Sequence, residues 1–430
     1  MLENPRFRVG FSTLLMFTLL AGDAWRYSIS WFGFGVLAAA LIAVSVILLV
    51  TQRQRWHIGA LPLPLLAFLG LATASIAWSH YPGASALGTF TTWGTVVIAV
   101  AAAVTFSWTE LLRALGYALR LILGLSLVFE FVVSAFIRHP VLPFWVSYDY
   151  PDGTLPKLLY WSRDLLFDGG KIQGIVGNSS LLAFVALLGV IVFGVQLATR
   201  SVGRVWGWFW MLVAVACIAT TRSATIYLGL VAVALALIVV LLLRRTATPR
   251  GRLGVYGGIA GVVVVGATLV IVFGQQLLAL LGKSPDLTGR IGIWETVIGM
   301  AQQRPVFGWG WVSYWVPWVD PFDHLVFHAG VTQLHAHNAW LDVWMQLGIV
   351  GLIVFGSFVL AALVKAWQHA IDRPQSQPDT PGIHTALTLL PLLILIALLV
   401  QSLAESRLLV EYGLLLLTIV AVKAKRRELT

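Results

Sequence analysis

The sequence predicts an all-α fold: a polytopic bundle of about twelve transmembrane helices, organised as a single transmembrane domain over residues 1–430. Three observations predict it. Hydrophobic residues make up 59% of the 430 residues and charged ones only 11%, well below the ~25% charged content of soluble domains. Apolar runs of about 20 residues, the length that crosses a bilayer, recur along the whole chain. Nineteen tryptophans suit a chain that meets many membrane–water boundaries. The net charge of +10 is spread over short loops, so it is no nucleic-acid signal, and membrane lipids are the partners expected of such a bundle. Cys217 stands alone in an apolar run, which gives no basis for a disulfide framework.

Twelve spans follow in order, near 9–25, 28–50, 58–78, 86–106, 111–136, 174–198, 203–221, 223–243, 253–274, 338–367, 382–402 and 406–423. The first has Arg6 and Arg8 before a short apolar stretch, Phe11 to Gly22, as a signal peptide would. No cleavage pattern of small residues stands out, so an uncleaved first helix is expected. The seventh and eighth spans are separated only by a tight turn at Thr220–Arg222. Short-loop cations set the orientation. Arg6, Arg8, Arg53, Arg55, Arg113, Arg200, Arg204, Arg244, Arg245, Arg250, Arg252, Lys365, Arg373, Lys423, Lys425, Arg426 and Arg427 fall on one side. The opposite short loops hold Arg26, Arg222 and Arg407. The first side is therefore expected to be cytoplasmic, with both termini inside. Two long loops, about 138–173 and 274–337, then lie outside. Both are rich in Trp, Tyr, Phe and Leu, which predicts ordered loops packed on the bundle.

Five stretches on the outer side carry polar chemistry. In "ATTRSATIYLGL", Arg222 sits at a span end among Thr220, Thr221, Ser223 and Thr225. It reads as a snorkelling arginine or as a phosphate grip. In "SPDLTGRIGIWETVIGMAQQRPVFGWGW", Thr288 is placed to cap a helix starting near Gly289, and Pro305 follows its end. Ile291, Trp294, Val297 and Ile298 would form one apolar face lying on the membrane. Arg290 in the first turn opposes the helix dipole, whereas a bound anion would use the arginine and the free N–H groups together. In "VTQLHAHNAWLDVW", His335 and His337 precede Asn338, which is placed to cap the tenth span. The pair reads as a polar helix edge, as a general base, or as metal ligands completed by His324, His328, Asp320 or Asp342. In "SRDLLFDGGKIQGIVGNSSLLAF", Arg163 either contacts substrate or pairs with Asp164 or Asp168, and Gly174 and Asn178 start the sixth span. In "SLAESRLLVEYG", Glu405 and Arg407 read as an ion pair that holds helix ends. The run Trp309, Trp311, Tyr314, Trp315 and Trp318 suits either sugar stacking or an interfacial belt. No D-x-D triplet for a metal-held nucleotide sugar and no P-loop occurs.

At these residues the sequence resembles the O-antigen ligase and polymerase superfamily. The resemblance rests on the many spans, the "TTRSA" arginine, a long outer loop opening with "GRIGIW", the "HAHNAWLDVWMQLGIVG" stretch and the "GIVGN" asparagine. It implies a GT-C-like, membrane-embedded glycosyltransferase that inverts its sugar without a metal or other cofactor. The implied donor is O-antigen on undecaprenyl pyrophosphate, and the implied acceptor is a sugar hydroxyl of lipid A–core. The location would be a Gram-negative inner membrane, with the active site facing the periplasm and the two long loops periplasmic. By motif position Arg222 and Arg290 would hold the pyrophosphate and His337 would be the base. Arg163, His335 and Asn338 are further candidates for substrate contact. The nearest alternative is an O-antigen polymerase, with a protein-glycosylating relative behind it. A transporter of anionic lipids or solutes is the alternative of another class, disfavoured because its polar groups would lie near the midplane.

Overall fold

A computed structural model describes residues 4–54, 56–146, 155–246, 248–280, 289–372, 375–377, 380–381 and 384–426. Helices start where short polar side chains or prolines can satisfy free N–H groups. Asn4 and Pro5 open α1 (Pro5–Leu20). Ser107 and Glu110 form a capping box at the start of α5 (Trp108–Val132), which continues as a π-turn to Ile137. Asn178 caps α6 (Ser179–Ala198), and Asn338 caps α11 (Ala339–Ile371). The other helices are α2 (Gly22–Thr51), α3 (Leu63–Ala74), α4 (Pro82–Thr105), α7 (Arg204–Thr221), α8 (Ala224–Arg245), α9 (Pro249–Leu280), α10 (Arg290–Gln303), α12 (Leu390–Ser402) and α13 (Glu411–Lys425). Among the described residues the strands are two short antiparallel pairs, β1 (Phe327–His328) with β2 (Val331–Thr332), and β3 (Gln375–Gln377) with β4 (Thr380–Pro381).

Each of the twelve expected spans falls on a helix, and the thirteenth helix is α10 in the second long loop. Among the described residues, seven are long and apolar enough to cross a membrane: α2, α4, α5 with its π-turn, α6, α7, α8 and α11. Leu63–Ala77 and Ala386–Ser402 are shorter apolar helices. Several boundaries differ from the sequence reading. The second helix starts at Gly22, so Arg26 lies inside it and not in a loop. It breaks at Ser30 (φ 73°), whose hydroxyl accepts from the Gly33 N–H at 3.3 Å and so caps the second half. The sixth starts at Ser179 and not at 174, because Gly174 and Gly177 adopt φ of 59° and 64°, which no helix accommodates. The turn between α7 and α8 sits at Arg222 (φ 48°), as expected.

The largest unforeseen feature is inside α11. The helix breaks at Gly348 (φ 66°), and the loop strand 305–310 enters the gap. Trp309 and Gly310 N–H groups donate to the Met345 and Gln346 carbonyls at 3.0 and 2.9 Å, and Ile349 N–H donates to the Pro305 carbonyl at 2.8 Å. These bonds satisfy backbone groups that the broken helix frees. A Cβ at Gly348 would collide with the Val306 backbone, so only glycine fits there.

The main core joins α4, α6, α12 and α13 and reaches the loop through Trp311, whose ring lies 5.2 Å from Phe68. A second core sits under the loop and gathers Ile293, Val297, Met300, Trp315, Phe322 and Met345. This corrects two expectations. The buried face of α10 is Ile293, Val297, Met300 and Ala301, while Ile291 is exposed, so α10 packs on its own loop. The aromatic run is neither a belt nor a platform: Trp311 and Trp315 are buried, and only Trp318 is exposed. Trp311 donates to Thr92 and Trp309 to the Met300 carbonyl, which ties the run into the protein. The described parts of the two long loops pack on the helices.

Candidate active site

His335 and His337 stand at the mouth of α11 because Asp342, one turn into that helix, pulls the chain back. The fully buried Asp342 accepts from the Ala336 N–H at 3.0 Å and from the Trp315 indole at 2.9 Å. The Ser406 hydroxyl also donates to it. One carboxylate therefore fixes the residue between the two histidines and the residue beside Glu405. Asn338 adds to the clamp. Its carbonyl oxygen accepts from the Trp340 and Leu341 N–H groups, and its amide donates to the Leu403 carbonyl at 3.4 Å. His337 is left at φ 49°, a strained conformation for a side chain with a Cβ. Its backbone N–H donates to His335 Nδ1 at 3.0 Å.

Glu405 is the centre of the cluster. His337 Nδ1 lies 3.2 Å from its Oε2, and His335 Nε2 lies 3.9 Å from the same oxygen. Arg290 reaches Oε1 at 3.2 Å. The expected Glu405–Arg407 pair does not form. Arg407 turns away to Glu411 and to Asp23 Oδ2, while Arg26 joins the same two acids from α2. The two clusters touch through Tyr314, whose ring lies under the Arg407 guanidinium and 4.9 Å from the His335 ring. Burial works against the Glu405 carboxylate, but His337, His335 and Arg290 outweigh it and hold its pKa at about 2. Burial, and then the charge of His337, pushes His335 well below the usual histidine range.

His335, His337 and Glu405 each place one ligand atom within 4.8 Å of the others, so they are close enough to share an ion. Their donor chemistry does not fit one in this conformation. His335 Nδ1 accepts a backbone N–H, so the neutral ring carries its proton on Nε2, the nitrogen that faces Glu405. Arg290 already occupies the carboxylate's other oxygen. None of the expected third ligands, His324, His328, Asp320 and Asp342, belongs to this group. A second group, Asp320, Asp323 and His324, is exposed.

The other expected site residues are distributed differently. Arg290 opens α10 behind Gly289 (φ 80°), and among the described residues no side chain caps that helix. The expected cap Thr288 lies outside the described residues. Arg222 is exposed at the end of α7, with its guanidinium facing Gly169 of the first loop. Among the described residues no direct contact joins it to His337, Arg290 or Glu405. The hydroxyls of Thr220 and Thr221 donate back to their own helix carbonyls. Arg163 forms no ion pair with Asp164 or Asp168; its Nε donates to Gln173 at 3.0 Å. Sequence reasoning missed Gln333, whose Oε1 lies 3.2 Å from His337 Nε2. It also missed Glu130, a buried acid in α5 that accepts from Ser162, Gln173 and Gly174. A carboxylate inside an apolar helix, as at Glu130 and Asp342, is the signal that marks such positions.

Residues 209–356 match the family model described as O-Antigen ligase. That segment contains Arg222, Arg290, Gln333, His335, His337 and Asn338, but neither Glu130 nor Glu405. A stretch of 130 residues is 30% identical to the exopolysaccharide production protein ExoQ of Rhizobium meliloti (strain 1021). It covers 30% of this chain and 28% of that protein's length. Residues 209–356 of this multi-pass membrane protein are thus similar to the O-antigen ligase family, and the chain spans less than a third of the length of the curated relative it matches.

Proposed function

We propose that the protein transfers O-antigen glycan from undecaprenyl pyrophosphate to a sugar hydroxyl of lipid A–core, at the periplasmic face of a Gram-negative inner membrane. The observation that carries this reading is the triad-like set: His337 on one oxygen of Glu405 and Arg290 on the other. His337 is the general base, a role worth roughly 10²–10⁴-fold in rate. Glu405 holds the ring and stabilises the imidazolium that forms, as the acid of a catalytic triad does. The acceptor oxygen attacks the anomeric carbon as the bond to pyrophosphate breaks, and one displacement inverts that carbon. Charge develops on the departing pyrophosphate. Arg290, helped by the N–H groups that open α10, and Arg222 from the end of α7 stabilise it, by roughly 2–4 kcal/mol per well-placed group. Arg222 is proposed to meet the diphosphate toward its lipid end. Arg163 is proposed to meet acidic groups of the acceptor, and His335 to orient His337. No metal takes part, and EDTA is expected to leave the rate unchanged.

A second reading is favoured by the relative named for exopolysaccharide production: a polymerase that joins two lipid-linked glycans. Reconstitution with purified lipid-linked glycan, with and without lipid A–core, separates the two. Transfer that needs the core supports the ligase, and chain extension without it supports the polymerase. In either case Arg222→Ala and Arg290→Ala should weaken donor use, and full activity in both would remove the pyrophosphate clamp.

A further inference from the structure

Gln333 is buried beside His337, and nothing in the mechanism above uses it. Its orientation is set by the backbone. The side-chain amide donates to the carbonyls of His328 and Val331, each at 3.2 Å, while its own N–H donates to Val326 at 2.9 Å. Rotating the amide would turn its oxygen onto two carbonyl oxygens. Oε1 therefore faces His337 Nε2. The other ring nitrogen faces the Glu405 carboxylate, which can only accept. Both nitrogens of His337 thus stand against acceptors, and the ring satisfies them only by donating from both. In that state Nε2 has no lone pair for an acceptor hydroxyl.

The residues that hold Gln333 belong to the β1–β2 hairpin. The same hairpin lays the His328 ring against Gly289, immediately before Arg290. One short hairpin therefore touches the first turn of α10 and, through Gln333, the base.

We propose that Gln333 is a positioning residue that latches His337, and that the acceptor sugar hydroxyl takes its place at Nε2 when the hairpin shifts. The inference rests on His337 being the base. On release the Nε2 proton passes to water. The freed lone pair then takes the acceptor's hydroxyl proton as the acceptor oxygen bonds the anomeric carbon and the pyrophosphate leaves. Until the acceptor arrives, the latch keeps the base from activating water, so the lipid-linked glycan is not spent by hydrolysis.

The test uses the full chain in lipid with purified lipid-linked glycan. Two rates are measured: transfer to the acceptor, and release of free glycan without acceptor. Gln333→Ala and the volume-keeping Gln333→Met should raise the ratio of hydrolysis to transfer roughly tenfold, the scale of one charge-assisted hydrogen bond. Gln333→Glu should pair with the imidazolium and lower both rates by about the same factor. Unchanged ratios in the folded variants, with Gln333→Glu as active as the parent chain, would overturn the latch. Full transfer by His337→Ala would instead overturn the base assignment on which the latch depends.

Discussion

Two buried glutamates organise the two long loops, and they are held in opposite ways. Glu130 accepts from the Gln173 and Gly174 N–H groups and the Ser162 hydroxyl, at 2.7–2.8 Å. All of these donors are neutral and fixed, so Glu130 ties the first loop to α5. Glu405 faces His337, His335 and Arg290. Its partners are side chains that titrate or that can turn toward a ligand. A carboxylate held by backbone amides fixes a fold, whereas one held by ionisable side chains can share its charge with a reaction.

Substitutions should separate the two glutamates. The largest effect is expected from Glu405→Gln, which keeps shape but loses the charge that orients His337. Glycan transfer should fall roughly 10²–10⁴-fold, measured on protein that thermal unfolding shows to be folded at the assay temperature. Glu130→Ala should do the reverse in kind. It strands three buried donors and should cost about 2–4 kcal/mol of stability, read by thermal unfolding in detergent, with any activity loss following the folded fraction. If Glu130→Ala abolished transfer in fully folded protein, the distinction would fail.

Acidification gives a smaller and graded test. The pKa of His335 lies below its ordinary 6.5 in the folded chain, so its contribution is complete above about pH 6.5 and is lost as the pH falls through the lower folded value. Glu405 behaves likewise further down, complete above 4.5 and lost toward about 2. The melting temperature should therefore drop as the pH is lowered from 7 to 5, and His335→Asn should flatten that part of the curve. The smallest change is expected from Arg163→Gln. Its guanidinium is half-buried on Gln173 and pairs with no acid among the described residues, so its loss should shift stability by about 1 kcal/mol at most and alter acceptor KM more than kcat.

The residues that were legible in the sequence act over short range. Asn178 and Asn338 cap the helices they immediately precede, and the Arg222 turn lies between two apolar runs that announce it. Glu405 was visible as a charged helix edge, but its partner is 68 positions away. The nearer Arg407 offered a plausible mate, yet Asp23 and Glu411 take it. The break at Gly348 was hidden because the helical pattern continues through it; only the insertion of 305–310 shows why glycine is needed. The run from Trp309 to Trp318 reads as a surface feature by composition, and burial under the loop turns most of it into core. Local hydrogen-bonding chemistry was thus readable, while the pairing of charges across the fold was not.

The central claim is that His337 and Glu405 act as one unit. A double-mutant cycle on acceptor-dependent transfer tests it most directly, using His337→Ala, Glu405→Gln and the pair together in the reconstituted protein. Groups that act as a unit are strongly non-additive. The double variant is predicted to be no slower than His337→Ala alone. A double variant slower by the product of the two single effects would contradict the account.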